Sequence, residues 1–186
     1  MSSETSNKSV FTVKEMTFTA IFSALIAICS WISIPTTVPF TMQTFAVFCA
    51  LSVLGGKRGF FSILIYIILG LIGVPVFAHF SAGPSVLFGM TGGYIIGFLF
   101  TAVVYWIFEK ISKDNLIISI ISLVIGLAVC YAFGTAWFMV VYTRSSGAIG
   151  LASALGMCVI PFIIPDIIKL AVAVIISGKL KKYADL

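Results

Sequence analysis

The stretch LIISIISLVIGLAVCYAFGTAWFMVVY, residues 116–142, contains no charged residue and decides the class of fold. A helix that crosses the roughly 30 Å hydrocarbon core of a bilayer needs about 20 consecutive apolar residues. The whole chain has the same character, because 61% of its 186 residues are hydrophobic, 9% are charged and the mean hydropathy is +1.21. A soluble domain has about 25% charged residues. The sequence therefore predicts an all-α integral membrane protein.

Short islands rich in charge, glycine and proline divide the rest of the sequence into further apolar segments. Six transmembrane helices are predicted in this way, over residues 14–34, 41–54, 59–73, 85–108, 116–142 and 156–178. They form a single domain, residues 14–186, which follows a polar cytoplasmic tail over residues 1–13. The segments lack the alternation of a membrane barrel, and the first is longer than the apolar core of a cleaved signal peptide. We expect a six-helix bundle that keeps its first helix.

The distribution of lysine and arginine predicts how this bundle is oriented, because these residues favour the cytoplasmic side. With the N-terminus inside, the cytoplasmic segments collect Lys8, Lys14, Lys57, Arg58, Lys110, Lys113, Lys179, Lys181 and Lys182, and the outer loops hold only Arg144. Both termini are therefore predicted to be cytoplasmic. The net charge of +5 reports this topology and indicates no nucleic-acid partner.

The second and third segments are too short to cross a bilayer. At 1.5 Å per residue, residues 42–54 and 60–72 each cover only about 20 Å. The prolines and glycines that flank them predict irregular backbone on the outer side, which is tolerated at membrane depth where it is buried in protein or lines a cavity. We expect a pocket that opens to the outside, and local thinning of the bilayer is the alternative.

Two opposite charges, Asp166 and Lys169, lie in the last apolar segment, PFIIPDIIKLAVAVIIS (161–177). An ionised side chain at the bilayer centre costs about 2.5–3.5 kcal/mol, so both should face the bundle interior. At a spacing of three residues they can pair, either only to hold the helix in place or to bind a ligand with N–H donors. Prolines 161 and 165 free the carbonyls of Met157 and Pro161, and we expect these acceptors beside the carboxylate.

Other residues are candidates for the same site or for a partner surface. Thr41, Gln43 and Thr44 begin the second helix at the depth of the expected pocket. Tyr94 lies beside a small-residue pattern (Gly89, Gly93 and Gly97) and can bond a ligand, and Arg144 can attract an anion at the outer mouth. Ala20 and Ala24 form a small-residue pair that serves either internal packing or the docking of another membrane chain.

The residue inventory argues against several classes of protein. The four cysteines lie in apolar segments without a C-x-x-C pair, and there is no H-E-x-x-H motif and no second intramembrane acid. We therefore expect free buried thiols, no metal or cofactor, and no enzymatic activity. A phosphate-binding G-x-x-x-x-G-K-[ST] loop is also missing, so transport driven by ATP would need another polypeptide for the hydrolysis.

Four motifs in this chain resemble those of the BioY family, the biotin-specific S-components of energy-coupling factor (ECF) transporters. They are VPFTMQT (38–44), LGLIGVPVFAHFSAG (69–83), GMTGGYIIGF (89–98) and PFIIPDIIK (161–169). The resemblance implies a six-helix S-component in the prokaryotic plasma membrane that captures biotin with high affinity from the outside. It also implies a transmembrane coupling protein and two ATPase subunits as partners.

The resemblance assigns roles to particular residues. It places Asp166 and Lys169 near the ureido ring of biotin, with Gln43 and Tyr94 around the pocket. It makes the pair Ala20 and Ala24 the surface that meets the coupling protein. Two positions depart from the family pattern, because Met90 stands where members often have proline and Arg144 lies in no shared motif. A contact of Arg144 with the ligand carboxylate rests on its charge alone.

Three alternatives stay open at the level of sequence. The first is an ion-coupled secondary transporter that uses Asp166 as a proton or cation carrier. The second is an S-component for another vitamin, and the third is a structural subunit that binds no ligand.

Overall fold

The computed structural model of the protein describes residues 12–36, 38–111 and 115–184, without the side chains of 182–184. Its helices are α1 (Val13–Trp31), α2 (Gln43–Leu54), α3 (Gly56–Leu71), α4 (Pro84–Leu87), α5 (Gly92–Ile111), α6 (Leu116–Ser146), α7 (Leu151–Cys158) and α8 (Ile160–Ala184). Two short antiparallel strands, β1 (Ser33–Ile34) and β2 (Phe40–Thr41), pair between α1 and α2. Most of the predicted tail, together with Lys8 and Lys113, lies outside the described residues.

The protein is 81% helical, and in the described part of the chain four helical segments are long and apolar enough to cross a membrane. These segments are α1, α5, α6 and the stretch Leu151–Lys181. Helix α8 shows the sidedness of such a bundle, because Ile164 and Ile167 are exposed while Asp166 and Lys169 are buried. Exposed isoleucine on one face and buried charge on the other is the reverse of a soluble helix. The structure thus supports a multi-pass membrane protein.

Local sequence explains where several helices begin. Thr12 and Glu15 form a reciprocal capping box at the start of α1, in which the Thr12 hydroxyl accepts from the Glu15 N–H and the Glu15 carboxylate accepts from the Thr12 N–H. The Asn115 side chain caps α6 by accepting from the N–H groups of Ile117 and Ile118. Between α2 and α3, Gly55 has a φ of 82°, which suits glycine and makes the turn tight.

The shortest of the main helices, α2, lies in the centre of the bundle. It has 12 residues and therefore covers only about 18 Å. All its residues from 46 to 54 are buried, against α1, α3 and α8. A helix enclosed by protein in this way does not need to span the bilayer by itself. This burial explains how a segment shorter than the bilayer core is accommodated.

Helices α5 and α6 form the most extensive helix pair, and glycines allow their close approach. A Cβ atom built on Gly93 would lie 2.3 Å from Cβ of Trp137, and one on Gly97 would lie 2.7 Å from Sγ of Cys130. The small-residue pattern singled out in the sequence therefore serves helix packing at these two positions.

Two predicted segments are each divided into two helices. The segment 85–108 becomes α4 and α5, with a turn over residues 88–91, where a Cβ on Gly92 would lie 1.7 Å from the Leu87 carbonyl oxygen. The predicted segment 156–178 starts inside α7, which begins at Leu151, and continues into α8 after a break at Val159. Pro161 explains the second break, because proline cannot donate to the carbonyl four residues earlier and clashes with it.

Candidate functional site

A cavity of about 320 Å³ lies between the irregular segments and the helices α2, α5, α6 and α8. Residues 38–44 and 77–91 contribute much of its lining, as expected for irregular backbone at membrane depth. The volume falls at the lower end of the range of about 300–1,000 Å³ that is typical of small-molecule sites. The cavity is therefore large enough for a compact ligand.

Asp166 supplies the negative charge of the cavity and is 1% exposed. Its Oδ1 accepts hydrogen bonds from Thr44 Oγ1 at 2.9 Å and from Lys169 Nζ at 2.8 Å. Its Oδ2 accepts from Tyr131 Oη at 2.6 Å. Since a carboxylate has about four lone-pair sites, these three donors hold it in place and leave room for one more. Asp166 can therefore accept a hydrogen bond from a bound ligand.

Lys169 is the counter-charge of this carboxylate. Besides Asp166, its Nζ donates to the Thr41 carbonyl at 2.7 Å and to Thr44 Oγ1 at 3.2 Å, and it lies 4.2 Å from the centre of the Phe40 ring. An ammonium has three N–H donors, and these three acceptors match them. The ion pair consequently ties α8 to the start of α2 and keeps the cavity close to neutral.

Gln43 and Tyr94 add two further polar groups to the lining. The Gln43 side chain donates through Nε2 to Tyr66 Oη at 2.9 Å. The Tyr94 hydroxyl shares a hydrogen bond with Thr135 Oγ1 at 3.0 Å. Both side chains are buried, so these bonds avoid the cost of polar groups without a partner. Their positions are thereby fixed at the cavity wall.

The rest of the wall is mainly apolar. Aromatic and aliphatic side chains from four parts of the chain face the cavity, namely Phe77, Phe98, Leu127 and Phe162. Among the described residues, no three His, Cys, Asp or Glu side chains come together as metal ligands. A flat apolar body with a small N–H-bearing head is therefore the kind of ligand that this cavity can hold.

The structure brings six of the predicted site residues together in the wall of one cavity, namely Thr41, Gln43, Thr44, Tyr94, Asp166 and Lys169. Three other expectations lie elsewhere. Arg144 is exposed in the last turn of α6 and is not part of the lining. Met157 and Pro161, whose carbonyls were expected beside the carboxylate, are exposed and do not line the cavity either. The break at Val159 places Met157 on a different helix from Asp166, whereas Pro161 lies in the first turn of α8.

The alanine pair and the cysteines also have defined places. Ala20 and Ala24 are exposed on α1, away from the core. The sequence allowed internal packing as an alternative role for the pair, and this exposure argues against it. Cys29, Cys49, Cys130 and Cys158 are free and buried, as predicted.

Sequence reasoning missed Tyr131, which donates the shortest hydrogen bond to Asp166. The available signal was its position well inside the apolar segment 116–142, away from the ends where interfacial tyrosines collect. A tyrosine hydroxyl buried at such a depth usually has a partner. Its partner lies 35 residues further along the chain and could be identified only from the fold.

Comparison with known proteins adds independent evidence. A family model described as the BioY family matches residues 2–185. The chain is 39% identical over 171 residues to the biotin transporter BioY of Thermotoga maritima, covering 91% of this chain and 97% of that protein. It is 40% identical over 169 residues to a probable biotin transporter BioY of Pyrococcus horikoshii, covering 90% of this chain and 96% of that protein.

A solved structure shows the same fold. The chain superimposes with a TM-score of 0.79 and 28% identity on a crystal structure at 2.1 Å of the S-component for biotin from an ECF-type ABC transporter. The match covers 91% of this chain and 92% of the solved one. Because both sequence and structure match over nearly the whole length, the chain belongs to the BioY family.

Proposed function

We propose that this chain is the biotin-binding S-component of an ECF transporter, a transport subunit and not an enzyme. It captures biotin from outside the cell for import that partner subunits drive with ATP. The relatives named as biotin transporters and the solved S-component for biotin support this assignment. The single observation that carries it is Asp166, a buried carboxylate with acceptor capacity left toward an apolar cavity.

The cavity suits biotin because the ligand has matching parts. A ureido N–H of biotin donates to Asp166, whose charge Lys169 balances. The fused rings lie against the apolar wall that includes Phe77, Phe98 and Phe162. Gln43, Tyr94 and Thr41 complete the polar part of the lining. Burial of the rings and one hydrogen bond to a charged group together favour tight binding.

We propose the six-helix topology of S-components, with α1, α2, α3, α5, α6 and α8 as the six helices. Both termini then lie in the cytoplasm. The charged groups at one end of the bundle support this orientation. Arg58 pairs with Glu15, which joins the starts of α1 and α3. Glu109 accepts from the N–H of Gly56 at 2.7 Å, so the end of α5 lies there too. The same helix ends also carry three lysines, Lys14, Lys57 and Lys110. Basic residues therefore outnumber acidic ones at this end, which favours the cytoplasmic side.

The partners follow from the same assignment. We propose that the exposed pair Ala20 and Ala24 on α1 meets the transmembrane coupling protein, since small residues let two membrane helices approach closely. Two ATPase subunits supply the energy, because this sequence has no phosphate-binding loop of its own. The complete transporter then lies in the plasma membrane of a prokaryotic cell.

The direct test of the substrate is to purify the chain alone in detergent. Mass spectrometry of the denatured sample should detect co-purified biotin, and titration of a biotin-free preparation should give a dissociation constant below about a micromolar, equivalent to roughly 8 kcal/mol. Tight binding of another vitamin without binding of biotin would contradict the assignment of biotin as the substrate. Uptake in cells that survives ATP depletion and stops with the proton gradient would support the ion-coupled alternative.

A further inference from the structure

The cavity wall has polar residues both in a buried part and at an exposed rim. Asp166 and Lys169 are buried at one end, whereas His79 and Ser85 line the cavity and are exposed. If the ureido ring of biotin lies at the buried end, its carboxylate tail extends to this rim. This step rests on the function proposed above. The question is then which groups receive the carboxylate.

No free cation is available to it in the described cavity wall. Lys169 is the only lysine or arginine among the described lining residues, and its three N–H donors are matched by protein acceptors. Arg144 lies outside the lining. The donors left for an anionic tail in this wall are therefore groups other than lysine and arginine.

The turn from Phe77 to Ser81 carries one candidate donor, the imidazole of His79. The Phe77 N–H donates to the Ser81 carbonyl at 3.0 Å, and the Ser81 N–H and hydroxyl both donate to the Ala78 carbonyl, at 3.2 and 2.7 Å. These bonds close the turn on itself. Phe77 is fully buried, so the turn is anchored in the core.

Two consecutive residues at the tip of this turn are left-handed. His79 has a φ of 57° and Phe80 a φ of 56°. This conformation costs roughly 1–2 kcal/mol for a residue with a Cβ atom, and strain of this kind collects at ligand-binding segments. The two side chains therefore lie in different places. The Phe80 ring stacks on the Trp31 ring with centroids 4.9 Å apart, while His79 lines the cavity. The strain thus holds the imidazole at the rim.

Two hydroxyl groups accompany the imidazole. Ser85 and Thr91 line the same cavity. Within the described part of the chain, the side chains of His79, Ser85 and Thr91 make no hydrogen bond to protein. An imidazole carries at least one N–H donor and each hydroxyl carries one O–H donor. The cavity lining therefore offers three side chains with uncommitted donors.

We infer that His79, with Ser85 and Thr91, forms a subsite for the carboxylate of the ligand. The site then recognises biotin at both ends, by an acceptor at the bottom and by donors at the rim. His79 acts in this subsite as a residue that selects an anionic tail over an uncharged one.

The test compares biotin with biotin methyl ester, which keeps the rings and loses the negative charge. Binding of both ligands is titrated on the full chain in detergent. In His79→Gly, which accepts the left-handed backbone and lacks the ring, the preference for biotin over the ester should fall by about tenfold, as for loss of a hydrogen bond to a charged group. Affinity for the ester should change less than about twofold.

Control variants separate the possible causes. His79→Asn tolerates the left-handed backbone and keeps a donor, so it should retain most of the preference. The double variant Ser85→Ala with Thr91→Val should reduce the preference without any change at the turn. Arg144→Ala should leave it unchanged.

Each remaining outcome decides against one of the two proposals. Three results would overturn the rim subsite and leave the proposed biotin site unaffected. They are an unchanged preference in His79→Gly, an equal loss of affinity for both ligands in that variant, and a preference abolished by Arg144→Ala. Failure of the wild-type chain to bind either ligand would overturn the proposed function itself.

Discussion

At the scale of single residues, side chains from three helices hold the carboxylate of Asp166 in place. Thr44 on α2, Tyr131 on α6 and Lys169 on α8 all donate to Asp166. Removing one hydrogen-bond partner of a buried charged group costs more free energy than an average hydrogen bond contributes, because the charge is left buried without that partner. The position of the carboxylate, and with it the proposed ligand contact, therefore depends on residues that need not touch the ligand.

Tyr131 provides a test of this dependence. Tyr131→Phe removes the hydroxyl that orients Oδ2 of Asp166, and we expect biotin affinity to fall roughly tenfold, near the lower limit for a hydrogen bond to a charged group. Calorimetric titration measures the change. Tyr142→Phe is the matched control, since Tyr142 lies on the same helix outside the cavity lining. Equal affinities of Tyr131→Phe and wild type, at equal melting temperatures, would contradict this role.

The residues that could be predicted are those whose placement has a high energetic cost. Asp166 and Lys169 could be placed inside the bundle because exposing charge to lipid is unfavourable. Tyr131 could not be assigned, because a tyrosine in an apolar segment has several ordinary roles. Arg144 was a candidate on charge alone, and charge does not specify the distance of an exposed residue from a cavity.

At the scale of elements, the position of the cavity depends on how closely α5 and α6 approach. Gly93 lies against Trp137, whose Nε1 donates to the Gly89 carbonyl at 3.0 Å, in the turn between α4 and α5. Gly134 lies against Tyr94, one of the cavity residues. The helix pair therefore fixes two parts of the wall together.

A methyl group at this contact tests the importance of close packing. Gly93→Ala should lower the free energy of unfolding by about 1–3 kcal/mol, the usual cost of overpacking, because its Cβ would overlap Trp137. Thermal unfolding in detergent gives the comparison. In Gly178→Ala, where the new Cβ meets no atom within 4 Å, stability should be unchanged or slightly higher. Equal stability of the two variants would contradict the packing described here.

Helix boundaries were less predictable than the presence of helices. Pro161 carried a usable signal for the break between α7 and α8, since proline disfavours the helical turn before it. The sequence nonetheless predicted one segment, because the apolar composition is continuous through the break. The turn between α4 and α5 depends on the approach of Gly92 to the Leu87 carbonyl, which no local pattern reports.

At the scale of the whole molecule, the surfaces proposed for ligand and partner are distinct. The cavity lies beside the turns over residues 38–44 and 77–91, and the ion pair of Arg58 with Glu15 lies at the start of α1 and α3. The exposed pair Ala20 and Ala24 lies on α1, outside the cavity lining. Composition alone predicted the membrane class. The assembly of these surfaces required the fold.

The separation predicts that docking and ligand binding can be uncoupled. Ala20→Trp should reduce co-purification with the coupling protein and ATPases, because a large side chain prevents close helix approach. Biotin affinity should stay as in wild type. Ala171→Trp, at an exposed alanine of α8, is the matched control and should leave assembly intact. Loss of assembly in both variants, or in neither, would contradict a specific docking face on α1.

A side-by-side titration tests the proposed contact of Asp166 with biotin. Wild type and Asp166→Asn are titrated with biotin side by side by calorimetry, with circular dichroism and melting temperature as controls for folding. We expect one biotin per wild-type chain. In Asp166→Asn we expect biotin affinity to fall by about 1.5–3 kcal/mol, the range for a hydrogen bond to a charged group. Equal biotin affinities in two folded proteins would contradict it.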